Sequence, residues 1–374
     1  MSVAKSERLI SLDVFRGITI AGMILVNSPG TWEYVYPALR HSKWNGCTPT
    51  DIIFPFFMFI VGVALTYSIS KKIENNVPHS KIIFQIIRRS LIIFLLGLFL
   101  NGFPYFNFST LRIPGVLQRI AAAYLISSII FLKFNKRSIA IIAGSILLIY
   151  WVLMTLVPVP GVGYPNFEPS TNLGAWLDRF VFGNHLWGQS KVWDPEGILS
   201  TLPSISTVLL GILAGFLLKS DRDKLSKTIL MFVWGNIFLV VGIVWDIWFP
   251  INKNLWTSSY VIYTAGLALN FLGMCYWFID VKGYKSWSKP FQIFGMNAIA
   301  AYFLSEFIEI IIDEVKVFDS SIGHAISVKG YLFNHLFLSW ISPVNASLAW
   351  AVCYVLFLFG LVSILYKKKI FIKV

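Results

Sequence analysis

The chain has 374 residues, of which 56% are hydrophobic, 16% aromatic and only 13% charged, and its net charge is +13. Soluble domains average about 45–50% apolar and about 25% charged residues. This composition therefore excludes an ordinary soluble domain and indicates a polytopic membrane protein. The three cysteines are scattered along the chain and match neither a disulfide framework nor a metal site, so no metal is predicted.

Ten apolar runs are long enough to cross a bilayer, which takes about 20 residues per helix. We predict an all-α, polytopic integral membrane protein with about ten transmembrane helices, built as a single domain over residues 1–374. A shorter apolar piece, Tyr331 to Ile341, is predicted to be an interfacial or re-entrant segment. The predicted spans are 9–28, 50–70, 89–103, 114–132, 138–157, 198–218, 229–249, 259–279, 290–312 and 345–366.

Lysines and arginines are distributed unequally over the connections between these spans. With a cytoplasmic N-terminus, 21 of them fall in inside segments and 8 in outside segments. Cytoplasmic loops of membrane proteins carry an excess of basic residues, so both termini are predicted to lie in the cytoplasm. This asymmetry explains the net charge without nucleic-acid binding. The loop 158–197 then lies outside, and its length and aromatic residues predict a folded cap.

The stretch 40–62, RHSKWNGCTPTDIIFPFFMFIVG, joins a polar approach to the second span on the external face. His41 and Asp51 lie at the mouth of this span, with Asn45 between them. A carboxylate that fixes the tautomer of an imidazole makes a general base, so these three are candidate catalytic residues. A solvated or structural histidine is the alternative, because spacing gives proximity and not geometry. Cys47 is a weaker candidate nucleophile, since it lacks a CxxC partner or a close basic neighbour.

Ionisable residues inside the spans are few, and such residues are costly in a bilayer. Asp13 and Arg16 are three residues apart, so they can pair on one helix face. The alternative is that Arg16 binds an anionic group of a ligand. Arg119 lies in the fourth span, and Glu306 and Glu309 share a face of the ninth.

Two acids, Asp194 and Glu196, stand directly before the sixth span. They complement the positive end of the helix dipole, or they form the rim of a pocket for a cationic or hydroxylated substrate. On the second interpretation they are candidate substrate-binding residues together with Trp44, which lies in the same external stretch as His41.

Five segments occur in an order that matches a known family: LDVFRG, HSKWNGCTPTDIIFPFFMFIVG, RIPGVLQRI, WDPEGILSTLPS and FGMNAIAAYF. Over nearly the whole chain they resemble the heparan-α-glucosaminide N-acetyltransferase family and its bacterial relatives, within the transmembrane acyltransferases. Lysosomal members of this family use cytosolic acetyl-CoA to acetylate the terminal glucosamine amine of heparan sulfate on the far side of the membrane. The resemblance implies that His41 matches the family's catalytic histidine, and Asp51 the acid ten residues further on.

The resemblance implies a transmembrane acyltransferase that moves an acetyl group from cytoplasmic acetyl-CoA to the amine of an amino sugar at the external side. Acetyl-CoA is the co-substrate, and Asn45 or Asn297 would polarise its thioester carbonyl. His41 either deprotonates the amine for direct attack or is itself acylated; direct transfer is favoured because it needs no stable acyl-imidazole. The residues assigned to the CoA side are Arg16, Arg88, Arg89, Arg119 and Asn297.

The layout of the chain, which starts almost directly at the first span, predicts the cytoplasmic (inner) membrane of a bacterium. The expected acceptor is then a small amino sugar or an amino-sugar-containing glycan rather than heparan sulfate. Membrane lipid surrounds the protein, and a homodimer is compatible with the resemblance because the family includes oligomers.

The rival hypothesis is a transporter or flippase for amino sugars without CoA chemistry. Its polar path would be formed by Asp13, Arg16, Glu306 and Glu309. This hypothesis predicts uptake without CoA and tolerance of His41→Ala.

Overall fold

The computed structural model describes residues 9–321 and 323–371, and these are mostly helical, which confirms the predicted fold class. Lys5, Arg8 and Lys373, which enter the count of basic residues, lie outside the described residues. The helices are α1 (Ile10–Asn27), α2 (Ile53–Glu74), α3 (His79–Gly102), α4 (Val116–Lys133), α5 (Lys136–Leu156), α6 (Leu173–Phe182), α7 (Ile198–Lys219), α8 (Lys224–Asp246), α9 (Ser258–Tyr276), α10 (Lys289–Met296), α11 (Ala298–Glu314), α12 (Val328–Phe333) and α13 (Pro343–Lys367).

Within residues 9–321 and 323–371, nine helices are long and apolar enough to cross a membrane: α1 to α5, α7 to α9, and α13. A tenth crossing is the pair α10 and α11, which is bent by 72°. The predicted ninth span, 290–312, is therefore two helices. The chain breaks at Asn297, whose φ of −125° and ψ of 37° are not helical. Hydropathy reports the length of an apolar run and not its straightness, so this break could not be predicted.

Two further features differ from the predicted elements. Helix α3 begins ten residues before the predicted third span, so Arg88 and Arg89, counted as residues of an inside connection, lie within the helix. An unpredicted antiparallel hairpin, β1 (Lys316–Asp319) with β2 (His324–Ser327), follows α11. Strands of four residues are too short to give a clear alternation pattern.

The short apolar segment predicted at Tyr331 to Ile341 begins within α12 and continues into a π-helical turn at Asn334–Leu338.

Backbone contact between α2 and α7 forms the centre of the bundle. A Cβ added to Gly62 would lie 2.0 Å from the carbonyl oxygen of Val208, and one added to Gly211 would lie 2.0 Å from that of Phe59. Small residues allow helices in membranes to approach in this way. The contact fixes α2 relative to α7, and these two helices carry the polar stretches 28–52 and 157–197 at their N-terminal ends.

Successive spans run in opposite directions, so one end of the bundle gathers a set of connections that we call the His41 end. These connections meet each other: Ile113 donates its backbone N–H to His185 (3.1 Å), and Gly46 donates to Ile251 (2.7 Å). The His41 end is formed by residues 28–52, 103–115, 157–197, 247–257 and 315–342.

Candidate active site

A histidine and a buried carboxylate lie in direct contact at the mouth of α2. Nδ1 of His41 is 2.7 Å from Oδ1 of Asp51. The Asp51 side chain is fully buried, whereas that of His41 is 40% exposed. With the hydrogen on Nδ1, donated to the Asp51 carboxylate, a neutral imidazole keeps the lone pair of Nε2 for chemistry. The proximity predicted from sequence is a hydrogen bond in the structure.

Asp51 is held in place by the local structure at the start of α2. It is residue N3 of a capping box whose N-cap is Thr48, with Pro49 at the first position of the turn. Its Oδ2 accepts the backbone N–H groups of Thr48 (3.0 Å) and Ser42 (3.0 Å). The sequence Thr-Pro-Thr-Asp is typical of such a helix start. A carboxylate that accepts several N–H groups stays charged and oriented.

A lysine that entered the sequence analysis only in the count of basic residues in outside segments lies against this pair. Nζ of Lys253 is 3.0 Å from Nδ1 and 3.3 Å from Nε2 of His41. It is 3.8 Å from Oδ1 of Asp51, and its side chain is 17% exposed. Burial lowers the pKa of Lys253, although the nearby Asp51 opposes this effect. The polar centre is therefore a group of three side chains rather than a pair.

Asn45 contacts the connection 247–257, which contains Lys253. Its Oδ1 accepts the side-chain N–H of Asn252 at 3.1 Å, and the next residue, Gly46, donates its backbone N–H to Ile251 at 2.7 Å. Gly46 has a φ of +102°, a conformation that favours glycine. The structure thus places Asn45 in the contact between the two connections, and its side-chain oxygen is engaged there.

Trp44 lines a cleft beside the His41 stretch. Its indole N–H donates to the carbonyl of Phe167 at 2.8 Å, and its ring meets Trp193 edge to face at 5.2 Å. Aromatic, amide and carboxylate groups share the wall of the cleft: Trp44, Tyr150, Asn172, Gly174, Ala175, Asp178, Trp193, Asp194, Ser200, Asn254 and Leu255.

Of the two acids before α7, Asp194 lines this cleft, and both are bound by Arg112. Nε and Nη2 of Arg112 lie 2.9 and 2.6 Å from the two oxygens of Asp194. Nη2 is also 2.6 Å from Oε2 of Glu196. Bidentate geometry of this kind is strong and directional. The acids are therefore fixed by an arginine from the α3–α4 connection, which the sequence analysis did not identify.

Arg119 lies near the His41 end of α4. Its Nη2 donates to Oγ of Ser200 and lies 3.5 Å from the carbonyl of Gly197, and the guanidinium sits 4.9 Å from the ring centre of Trp256. Within the described residues its Nε and Nη1 are buried without a hydrogen-bond partner. This position is close to the acids before α7.

The other residues assigned to CoA lie elsewhere. Arg16 pairs with Asp13 at 3.5 Å, one of the two alternatives that their spacing left open, and donates to the carbonyl of Gly295 at 3.0 Å. Asn297 donates to the carbonyl of Ile370 at 3.2 Å, beyond the C-terminal end of α13 and therefore away from the His41 end. Arg89 lies 4.8 Å from the ring centre of Tyr124, and Arg88 is exposed. The five residues do not form one cluster.

Asp178, on α6 of the cap, is a carboxyl group that sequence reasoning missed. Its side chain is buried, and its Oδ1 accepts the backbone N–H of Ile198 at the start of α7 (2.9 Å). Burial raises the pKa of Asp178 to about 7; the Ile198 hydrogen bond opposes this, Asp194 adds to it and Arg119 lowers it. An acid in the middle of a ten-residue helix carries no special pattern, so only the fold reveals it.

The pKa of Asp178 predicts a pH-dependent stability. Because the folded-state pKa exceeds the ordinary 3.8, the folded state binds a proton more tightly, and the free energy of unfolding falls as pH rises from about 4 to about 7. Asp178→Asn should flatten this part of the profile. Thermal unfolding in detergent at pH 5 and pH 8 measures it, with the exposed Glu168→Gln as control. Parallel profiles for the wild type and Asp178→Asn would contradict the prediction.

Cys47 does not have the environment of a nucleophile. Burial, with the charge of Asp51 in addition, raises the pKa of its thiol to about 12. Thiolates are the reactive form of cysteine, so this thiol is inert at neutral pH. Its small side chain packs against the main hydrophobic core.

Comparison with known proteins identifies the family. The sequence profile described as heparan-alpha-glucosaminide N-acetyltransferase, catalytic, matches residues 8–243. The mouse protein named heparan-alpha-glucosaminide N-acetyltransferase is 29% identical over 99% of this chain and 61% of its own length. The human protein of the same name is 30% identical over 80% of this chain and 53% of its own length. The chain thus covers between about half and three-fifths of these relatives. With more than half of its residues matched by the profile, the chain belongs to the heparan-α-glucosaminide N-acetyltransferase family.

Proposed function

We infer that this protein is a transmembrane N-acetyltransferase that transfers the acetyl group of acetyl-CoA to the amine of an amino sugar at the His41 end. The observation that carries this proposal is the hydrogen bond between His41 and the buried Asp51 beside a cleft with aromatic and acidic walls. Family membership supports the reaction type. We further propose that both termini are cytoplasmic and that the membrane is the inner membrane of a bacterium.

The proposed chemistry starts from the neutral Nε2 of His41. In the direct route, Nε2 removes one proton from the ammonium group of the acceptor, and the free amine then attacks the thioester carbon. The tetrahedral intermediate re-forms the carbonyl, the C–S bond breaks, and the CoA thiolate takes up the second proton, which the attacking nitrogen gives up. In the alternative route, Nε2 itself attacks the thioester carbon and CoA leaves as the thiolate. The free amine then takes the acetyl group from Nε2 and gives up a proton. Asp51 fixes the tautomer and stabilises the imidazolium in the direct route.

The walls of the cleft suit a cationic sugar. Aromatic rings such as Trp44 and Trp193 offer apolar surfaces, and amide groups such as Asn172 and Asn254 offer hydrogen bonds. Arg112 compensates the charge of Asp194, whereas within the described ranges no lysine or arginine forms an ion pair with Asp178. We therefore propose that the ammonium form of the acceptor approaches through the part of the cleft that contains Asp178.

Acetyl-CoA would approach from the cytoplasmic side. CoA is a large polyanion that does not cross a bilayer, and the count of basic residues favours a positive cytoplasmic face. Arg88 and Arg89, in the first half of α3, are candidates for its phosphates. Arg119 lies closer to the cleft, where its buried guanidinium suits the thioester end of acetyl-CoA better than the phosphates.

The test is transfer of radiolabelled acetyl from acetyl-CoA to glucosamine by the purified protein in detergent. Labelled N-acetylglucosamine, dependent on protein and on acceptor, is the expected result. Without product, an increase in thermal stability on addition of CoA would retain the donor and reject glucosamine as acceptor. Absence of both effects would contradict the proposed function.

The alternative function, an amino-sugar transporter, is favoured by one observation, the break between α10 and α11 at Asn297. Broken helices line the substrate sites of many transporters. On α11 itself, Glu306 accepts a hydrogen bond from Asn27 (3.4 Å), and Glu309 pairs with Lys329. Uptake of labelled glucosamine into proteoliposomes in the absence of CoA, unaffected by His41→Ala, would support this function over the transferase.

A further inference from the structure

The position of Lys253 relative to His41 calls for a chemical explanation. Its Nζ approaches both ring nitrogens, at 3.0 and 3.3 Å. Two adjacent hydrogen bonds around it hold the turn between α8 and α9, which includes Lys253, against the His41 stretch: Asn252 to Asn45 (3.1 Å) and Gly46 to Ile251 (2.7 Å). The placement of the lysine is therefore built into the fold.

A simple ion pair with Asp51 does not account for this geometry. Charged N–H···O pairs usually have distances of about 2.7–2.9 Å, but Nζ stays 3.8 Å from the nearer oxygen of Asp51. The Asp51 oxygens already accept from His41, Ser42 and Thr48. Lys253 lies closer to Nε2, the atom left free for chemistry, than to the carboxylate.

In both routes of the proposed function, negative charge develops beside Nε2. When nitrogen attacks the thioester carbon, the new C–N bond forms and the carbonyl electron pair moves to oxygen. This oxygen is two bonds away from the attacking nitrogen, which is either Nε2 itself or an amine in contact with it. A donor next to Nε2 is therefore within reach of the oxyanion. When the intermediate collapses, the electron pair returns, the C–S bond breaks and the sulfur leaves with the bonding electrons.

We propose that Lys253 is a catalytic residue whose ammonium group donates a hydrogen bond to the oxyanion of the tetrahedral intermediate. This assignment rests on the proposed transfer reaction. It gives the role suggested from sequence for Asn45 or Asn297 to a residue that lies beyond the profile match at 8–243. Asn45 becomes a positioning residue, since it holds the turn that presents Lys253.

The charged state of Lys253 supplies a distinguishing signature. Burial lowers its pKa, while Asp51, Glu196 and Cys47 raise it and Arg119 lowers it further. The ammonium should therefore be lost at a lower pH than that of an ordinary lysine, and kcat should fall with it. An arginine at this position keeps its charge throughout.

The experiment compares the wild type with Lys253→Met, Lys253→Arg and the control Lys43→Met, which removes an exposed lysine from the His41 stretch. Loss of one oxyanion donor typically lowers kcat about 10²–10³-fold, and this is the result expected for Lys253→Met, with the thermal stabilisation by CoA unchanged. Lys253→Arg should keep part of the activity and lose the alkaline fall. Lys43→Met should resemble the wild type.

A kcat of Lys253→Met within about twofold of the wild type would overturn the assignment, since loss of one oxyanion donor should lower kcat at least about 10²-fold. If Lys253→Met is unstable, Lys253→Cys treated with 2-bromoethylamine restores an ammonium group on a side chain of the same length. Activity regained by treated Lys253→Cys, and not by Lys253→Ala treated in the same way, supports the assignment. Treated Lys253→Cys that is folded but regains no activity overturns it. A wild type with neither transferase activity nor thermal stabilisation by CoA would overturn the proposed function and this assignment together.

Discussion

Replacement of His41 by alanine should lower kcat for acetyl transfer by about 10²–10⁴-fold, the range that a general base usually contributes. The variant loses the exposed member of the His41–Asp51 pair, since the Asp51 side chain is fully buried. Binding of CoA should be retained, because the proposed phosphate ligands lie on α3. Steady-state rates with acetyl-CoA and glucosamine, together with thermal stability with and without CoA, measure both effects.

The chain provides a matched control for this experiment. Nε2 of His335 lies 2.9 Å from Oδ2 of Asp319, and the exposed fractions of the two side chains are 40% and 2%, close to those of His41 and Asp51. This second pair joins the turn after α12 to the hairpin. His335→Ala should leave transfer unchanged. Equal activity of wild type and His41→Ala would exclude His41 as the catalytic base.

Replacement of Asp51 by asparagine should be about as damaging, with a loss in kcat of up to about 10⁴-fold, as expected when a histidine is held in the wrong tautomer. An amide has one acceptor oxygen, whereas Asp51 accepts from His41 with one oxygen and from Ser42 and Thr48 with the other. In either orientation of the amide, its NH2 group therefore faces a donor, either the Nδ1–H of His41 or the backbone N–H groups of Ser42 and Thr48. The pH profile of kcat and the Tm of the variant measure this.

A control for the Asp51 variant separates loss of orientation from loss of fold. Thr48→Val removes one hydroxyl 3.0 Å from Asp51 but leaves the backbone donors and the charge. It should lower Tm modestly and retain most of the activity. If Asp51→Asn stays folded and loses less than about tenfold in kcat, far below the tautomer effect, the orienting role of Asp51 is excluded.

The parts of the site that sequence could predict are those encoded locally. His41 and Asp51 are ten residues apart, and the Thr-Pro-Thr-Asp helix start determines how the carboxylate turns back toward the imidazole. Asp13 and Arg16 are one helical turn apart, so their pairing also follows from spacing. Hydropathy gave the number of spans for the same reason, since each apolar run is contiguous.

The missed residues depend on contacts between distant segments. Lys253 is separated from His41 by most of the bundle in sequence, and only the packing of the α8–α9 turn against the His41 stretch brings them together. Arg112 and Asp178 likewise gain their roles from α7, whose N-terminus they meet. The break at Asn297 is a change of backbone dihedral angles at one residue, and neither composition nor periodicity predicts such a change.

The contact between the α8–α9 turn and the His41 stretch also has a consequence for biosynthesis. Chains are made from the N-terminus at about 5–20 residues per second, so roughly 10–40 s separate the synthesis of Asp51 from that of Lys253. During this interval the nascent protein has its imidazole and carboxylate but not its ammonium group. If the three act together as proposed, the enzyme becomes competent only after α9 has inserted and the turn has docked on Asn45. The onset of activity would then report that the eighth span is in place.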